Sequence, residues 1–443
     1  MTFMRKFISL KTEIPGPKSK EIAKKREKYV VKPMEGSLSP GYIDYGEGAL
    51  VTDVDGNRFI DLTGGWGCLA VGYTHPDIVN VVKKQVEKFT HTDFTAIPYE
   101  SFVTLSEKLS QLAPGNSPKN VALFNCGAEA IENAVKMARG FTGRPGIIVF
   151  ENSFHGRTLL TLTMTHKAMP YKYKFGPFAP EVYRLPFPTP YHPSIEIENF
   201  ERIMNNMVNP ETVAAVVIEP IQGEGGFNVP VDGFLEHIRQ LCSKYGMMMI
   251  TDEIQCGIGR TGKYFAIEHW GIEPDIICLA KSLASGLPLS AVIARKEITD
   301  TLPGGSIGGT YVGNPLACQA GLEVIRIIEK ENLLDRAVEI GRQFKQRFLT
   351  MKKKYTIIGD VRGLGAMAAM ELVKNKENKE PATAETGKIV QYCVQNGVFV
   401  PTAGINKNIL RMLVSLVITD EQLEEALDVI EEAIDKVEQG ELG

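Results

Sequence analysis

The amino-acid sequence predicts an α/β protein: a large domain on a mostly parallel sheet, with a smaller α+β domain formed by both chain ends. Three observations carry this reading. Short, wholly apolar runs recur through the middle of the chain, amphipathic stretches of helical period separate them, and both flanks lose that rhythm. The chain has 443 residues, 44% apolar and 23% charged. That is enough for a large buried core and for more than one domain in contact.

The apolar runs Ile147–Phe150, Ala214–Ile218, Met247–Ile250 and Ile276–Leu279 read as strands buried on both faces. Between them, Gly233–Tyr245 places Phe234, Ile238 and Leu241 at helical spacing. On the N-terminal side, Tyr42–Leu62 is β-rich and half polar around the turn Asp55-Gly56-Asn57. From about Leu322 the chain is mainly helical, interrupted by strand-like stretches at Ile357–Val361, Ala366–Leu372 and Val398–Pro401. It ends in an acidic amphipathic helix, Thr419–Val437. These shifts divide the chain into an N-terminal segment of the small domain (1–65), a large domain (66–320) and a C-terminal small-domain part (321–443).

Several function classes are excluded. A net charge of -4 and a pI near 6.1 give no electrostatic footprint for nucleic acid. No apolar run reaches the length of a membrane span. Met1–Lys20 mixes Arg5, Lys6, Lys11, Lys18 and Lys20 with prolines and lacks an apolar centre, so it does not read as a secretory signal. The seven cysteines (68, 126, 242, 256, 278, 318 and 393) are dispersed, without C-x-x-C. They read as reduced thiols of a cytoplasmic protein. The seven histidines lack ligand spacing, so no metal is expected.

The informative polar residues stand where the apolar strands stop. Ile218 is followed by Glu219-Pro220, Ile250 by Thr251-Asp252-Glu253, and Leu279 by Ala280-Lys281-Ser282. In an open α/β sheet, ligands bind at the carboxyl ends of the strands. An ordinary salt bridge at a sheet edge accounts for any one of these residues alone. Together they suit pyridoxal 5'-phosphate chemistry. A lysine that attacks an aldehyde must be unprotonated, which partial burial favours. A carboxylate beside the pyridine nitrogen keeps that nitrogen protonated, so the ring can accept electrons. Lys281 and Asp252 fit those roles, and Glu219 could orient Asp252 from behind. A phosphate could rest where Asn125-Cys126-Gly127-Ala128-Glu129 opens a helix carrying Ile131, Ala134, Val135 and Ala138. Gly223-Glu224-Gly225-Gly226 is a second glycine-rich turn, but it matches no nucleotide fingerprint.

These segments, with Phe154-His155-Gly156-Arg157-Thr158, the run Ile218–Gly226, Asp252-Glu253-Ile254-Gln255, Gly308–Tyr311, Gly313-Asn314-Pro315 and Ile357–Gly363, resemble the class III pyridoxal-phosphate aminotransferases. Within that class the sequence is most similar to the 4-aminobutyrate group, from about Pro15 to the last helix. The resemblance implies a fold type I homodimer, or a tetramer of such dimers, with the active site at the subunit interface. It implies Lys281 as the Schiff-base lysine and proton shuttle, Asp252 at the pyridine nitrogen, and Gln255 at the ring hydroxyl. Phe154 and Ile254 would face the two sides of the ring. His155 belongs to the same cofactor-binding motif. Gly127 and Ala128 would hold the phosphate, with Thr310 of the neighbouring subunit. Arg157 would bind the carboxylate of an ω-amino acid. Arg411 would take the α-carboxylate of 2-oxoglutarate or glutamate, and Glu224 would pair with Arg411 until the dicarboxylate arrives.

Two positions depart from the family pattern. Cys126 stands where serine or threonine is usual, with little consequence expected where phosphate contacts are made by backbone. Trp66, in Gly64-Gly65-Trp66-Gly67, replaces a smaller aliphatic residue over the substrate, and its indole would narrow the pocket. The expected activity is a ping-pong transfer of an amino group from an ω-amino acid or amine to 2-oxoglutarate or pyruvate. An amino-acid racemase or epimerase on the same scaffold is the alternative. A non-catalytic binding protein conflicts with the joint presence of Lys281, Asp252 and Gln255, and a nicotinamide dehydrogenase with the missing phosphate fingerprint.

Overall fold

The computed structural model describes residues 5–34, 36 and 38–442; Met1–Met4 of the basic N-terminal segment lie outside it. At the centre is a seven-stranded sheet. Its order is Lys119–Phe124, Ser290–Arg295, Ile276–Leu279, Met248–Asp252, Val213–Ile218, Gly146–Phe150, Val182–Leu185. The last five strands are mutually parallel, and Ser290–Arg295 runs antiparallel to both of its neighbours. All four apolar runs singled out above are strands of this sheet. Their unbroken apolar character follows from period-two alternation between two buried faces. Ile147 and Val149 pack with the helix Gly127–Thr142, through Ile131, Ala134 and Val135. Ile148 and Phe150 point the other way, into a core shared with Phe200, Phe234 and Ile238.

The two ends of the chain meet in a four-stranded sheet. Ile43–Glu47, Leu50–Asp53 and Arg58–Asp61 form an antiparallel meander, and Arg58–Asp61 then pairs in parallel with Val398–Phe399. The N-terminus is tied down further by Glu425, whose carboxylate accepts the backbone N–H of Lys6, Phe7 and Ile8. A third sheet aligns Ile358–Leu364, Met367–Asn375, Ile409–Met412 and Thr402–Ala403, all antiparallel, with Glu380–Pro381 beside Met367–Asn375. The closing helix Asp420–Glu438 begins at Thr419, whose side chain accepts from Gln422 N while Gln422 caps Thr419 N. Among the described residues, no helix is long and apolar enough to cross a membrane.

Candidate active site

The strand order reverses around Gly146–Phe150: the next strand in the chain, Val182–Leu185, lies on one side of it and Val213–Ile218 on the other. A crevice is expected at the carboxyl ends of the strands beside such a reversal. A cavity of about 390 Å³ lies at that edge. Its lining comes from one strand end after another: Gly127 and Ala128, Phe154 and His155, Glu219, Asp252 with Ile254 and Gln255, and Lys281. The antiparallel strand Ser290–Arg295 starts at the same edge, so the loop before it adds Gly286–Leu289.

Asp252, the last residue of its strand, is buried. One carboxylate oxygen lies 2.7 Å from His155 Nδ1, and the other accepts the Ile254 N–H at 3.1 Å. Glu219 does not orient Asp252 as the sequence suggested. Its two oxygens are taken by the backbone N–H of Phe154 and of Gly223, each at 3.0 Å. His155 does the orienting instead, because the chain turns after Phe150 and brings its ring under the aspartate. Burial pushes the Glu219 carboxyl above its usual range; nearby His155 opposes the shift and Asp252 adds to it. Glu253, the next acid in the chain, faces away from the cavity lining. It accepts the N–H of Ala266 and Ile267, each at 2.8 Å, and burial raises it to about 7.

Lys281 opens a short 3-10 turn directly after Leu279-Ala280, with φ of +46°. Left-handed backbone at a lysine costs on the order of 1–3 kcal/mol and persists only where neighbours over-determine it. Here Ser282 Oγ donates to Gly67 O at 2.7 Å, and Leu283 N closes on Ala280 O at 3.0 Å. Gly67 belongs to a left-handed turn, with φ positive at each of Gly64, Gly65, Trp66 and Gly67. At Gly67, φ of +83° favours glycine, and an added Cβ would crowd Leu413 Cδ2 at 3.2 Å. Trp66 leaves this turn 41% exposed and does not line the cavity of the single chain.

Two arginines contact lining residues without themselves lining the cavity, in different ways. Arg411, in the middle of Ile409–Met412, has no exposed surface. Its Nη2 donates to Glu224 at 2.7 Å, and its Nη1 donates to Gly223 O at 3.0 Å and to Gln255 Oε1 at 3.2 Å. Burial would raise the Glu224 carboxyl, yet Arg411 and Lys281 hold it below its usual range. Arg157 is exposed, and its guanidinium lies 5.5 Å from the Phe154 ring centre and 5.0 Å from that of Tyr171. No acid pairs with it among the described residues. Thr310 lies on the surface, outside this cavity. Tyr171 escaped the sequence reading because nothing in its irregular stretch signals where the chain returns.

A family model described as aminotransferase class-III matches residues 35–434. The chain belongs to that family. It is 48% identical over 396 residues to a probable 4-aminobutyrate aminotransferase of Bacillus subtilis, covering 87% of this chain and 91% of the relative. It is 39% identical over 423 residues to the 5-aminovalerate aminotransferase of Pseudomonas aeruginosa, covering 95% and 99%. Among solved structures, it superimposes on the PMP-bound form of an aminotransferase from Vibrio fluvialis with a TM-score of 0.86. That match has 28% identity and covers 94% of this chain and 98% of that one.

Class III aminotransferases use pyridoxal 5'-phosphate, and the residues of this class III chain fit it. Gln255 Nε2 is buried at the cavity and meets no acceptor within hydrogen-bond geometry among the described residues, with the Glu224 carboxylate nearby. At Gly127 an added Cβ would meet Ile254 Cδ1 at 2.8 Å, so the helix N-terminus is kept bare where its unpaired amides can receive a phosphate. Phe154 and Ile254 supply apolar walls, and Asp252 supplies an anion held by His155. The fold is that of the pyridoxal-phosphate-dependent transaminases, and the chain is a pyridoxal-phosphate-dependent aminotransferase. Neither the family nor the relatives give support to racemase or epimerase activity.

Proposed function

We propose that this aminotransferase takes its amino group from an ω-amino acid of the size of 4-aminobutyrate or 5-aminovalerate and passes it to 2-oxoglutarate or pyruvate by a ping-pong mechanism. The observation that carries the reading is the pair between fully buried Arg411 and Glu224 beside the Lys281 cavity. A buried guanidinium needs an anion. An internal carboxylate can supply it while a substrate with one carboxylate is bound, and a dicarboxylate can replace it. Arg157, exposed and over the ring of the lining residue Phe154, is free to hold the carboxylate of the ω-amino acid.

Pyridoxal 5'-phosphate, when bound, supplies the carbonyl that takes up the amine and the ring that accepts electrons. Lys281 is the residue to carry it covalently and, once released, to move a proton at the carbon bearing the amine. Asp252, held by His155, keeps the ring nitrogen protonated. Gln255 donates to the ring hydroxyl through Nε2, Phe154 and Ile254 confine the ring, and the amides of Gly127 and Ala128 hold the phosphate. The partner subunit's Thr310 completes the phosphate site in a homodimer that shares its active sites. Exposure of Trp66 and of Tyr311, next to Thr310, supports such an interface. Trp66 then sets the pocket's width from the rim. The scattered free cysteines suit a cytoplasmic enzyme.

The test is the absorbance spectrum of the cofactor-loaded enzyme before and after 4-aminobutyrate, with no keto acid present. Loss of the visible band is the expected result. A band unchanged by 4-aminobutyrate and by 5-aminovalerate would reject both donors. Lys281→Ala should lose that band and lower turnover by more than about a thousandfold.

A further inference from the structure

We infer that Arg362 is a positioning residue for donor specificity: it anchors the far end of the turn that carries Glu224 and so keeps that carboxylate on Arg411. The inference rests on the proposed exchange of Glu224 for a substrate carboxylate at Arg411. The strand register brings the two arginines into one row. Arg362 pairs with Ala369, and Ala369 pairs on its other side with Arg411. Directly paired residues of adjacent antiparallel strands project from the same sheet face. Arg362 and Arg411 therefore reach the same object from alternate strands, with the small Ala369 between them.

That object is the turn Gly223–Gly226. Arg411 Nη1 donates to Gly223 O at 3.0 Å, and Arg362 Nε donates to Gly226 O at 2.9 Å. The turn is closed between those two points by Gly226 N donating to Gly223 O at 3.1 Å. A third contact, Gly404 N to Glu224 O at 2.9 Å, fixes the middle. A side chain at either end would force its neighbours to shift. A Cβ at Gly223 would strike Gln255 Oε1, and one at Gly226 would strike Ile409 Cδ1 and lie 3.0 Å from Arg362 Nη2.

Arg362 is itself held. Its Nη1 donates to Asp360 Oδ2 at 2.9 Å and to Glu371 Oε2 at 2.7 Å, and Glu371 Oε1 lies 3.0 Å from His192 Nε2. Both acids hold Nη1, Nε–H faces the turn, and Nη2 lies buried beside Gly226 with no partner among the described residues. A lysine could keep the ion pairs, but it could not bridge to Gly226 O as well.

The consequence is asymmetric between the half-reactions. With an ω-amino acid bound, Glu224 is the anion on Arg411, so its position matters. With a dicarboxylate bound, the substrate covers Arg411 and the turn matters little. Single-turnover kinetics of the cofactor-loaded enzyme separate the two, with 4-aminobutyrate for one half-reaction and 2-oxoglutarate for the other. Arg362→Gln should lower the second-order rate constant for 4-aminobutyrate about tenfold and change that for 2-oxoglutarate by less than about threefold. Arg362→Lys should show the same asymmetry and serves if the glutamine variant fails to fold. Equal losses in both half-reactions, or none in either, overturn the inference. Arg411→Gln is the companion. If it reacts normally with 2-oxoglutarate, the proposed role of Arg411 fails and this inference falls with it. If it is impaired while the Arg362 variants are symmetric, only the inference falls.

Discussion

Arg411 and Arg157 contact the lining of one cavity in opposite circumstances. Arg411 is fully buried and donates to Glu224, Gly223 and Gln255, whereas Arg157 is exposed and stacks against Phe154 and Tyr171. The difference lies in what each has to give up. Leaving a desolvated guanidinium without its anion is costly, so under the proposed function a carboxylate arriving at Arg411 replaces Glu224. A solvated guanidinium exchanges only water for its ligand. On the proposed function, one chain thereby presents a conditional anion site and an unconditional one to successive substrates.

Three variants bear on this contrast. Arg411→Gln should have the largest effect. It should weaken the reaction with 2-oxoglutarate about a hundredfold, within the roughly 2–5 kcal/mol carried by a desolvated charge pair. Steady-state KM and single-turnover rates measure it, and a change below about threefold would show that Arg411 does not receive substrate. Arg157→Ala should raise KM for ω-amino acids about tenfold and leave simple amines unchanged. Equal losses on both substrate types would remove Arg157 from carboxylate binding.

The smallest effect concerns the acids, where the same contrast appears with the sign reversed. Arg411 holds Glu224 below its usual range, while burial without a cation raises Glu253 from the ordinary 4.5 to about 7. For Glu253 the folded protein binds the proton more tightly than the unfolded chain. Its carboxyl therefore costs stability progressively as pH rises from 4.5 to about 7. For Glu224 the contribution is present above the unfolded value and is lost as pH falls through the folded one. Urea midpoints at pH 5 and pH 8 test this. Relative to the parent, Glu253→Gln should gain about 1–3 kcal/mol between the two pH values. Identical pH dependence in parent and variant would show that Glu253 stays ionised.

The strand-end residues were legible in the sequence because burial on both faces leaves an unmistakable apolar run, and the first polar residue after it marks the sheet edge. Lys281, Asp252 and Glu219 were found that way. Three strands of the same sheet were not, one of them the edge strand Val182–Leu185, whose Tyr183 and Arg184 interrupt any apolar run. Lys119–Phe124 is an edge strand with half-polar composition, and Ser290–Arg295 is rich in alanine, which favours strands weakly. Neighbourhoods set by long-range pairing were also out of reach. His155 stood in a recognisable motif, but its contact with Asp252 depends on how the chain turns after Phe150. Arg362 likewise stood in Ile357–Gly363, and only the register through Ala369 relates it to Arg411.

The pairing of Arg58–Asp61 with Val398–Phe399 bears on how the protein is made. During synthesis residues 43–61 leave the ribosome long before their partner strand has been translated, and Ile8 waits for an acid 417 positions away. Until then the meander Ile43–Asp61 has an open strand edge and an apolar face without cover, the state most prone to pairing with another nascent chain. Closing so long a loop is slow, although its entropic cost grows only with the logarithm of length. These strands are therefore sealed only after Val398–Phe399 has been made, and chaperone protection during expression matters most for them.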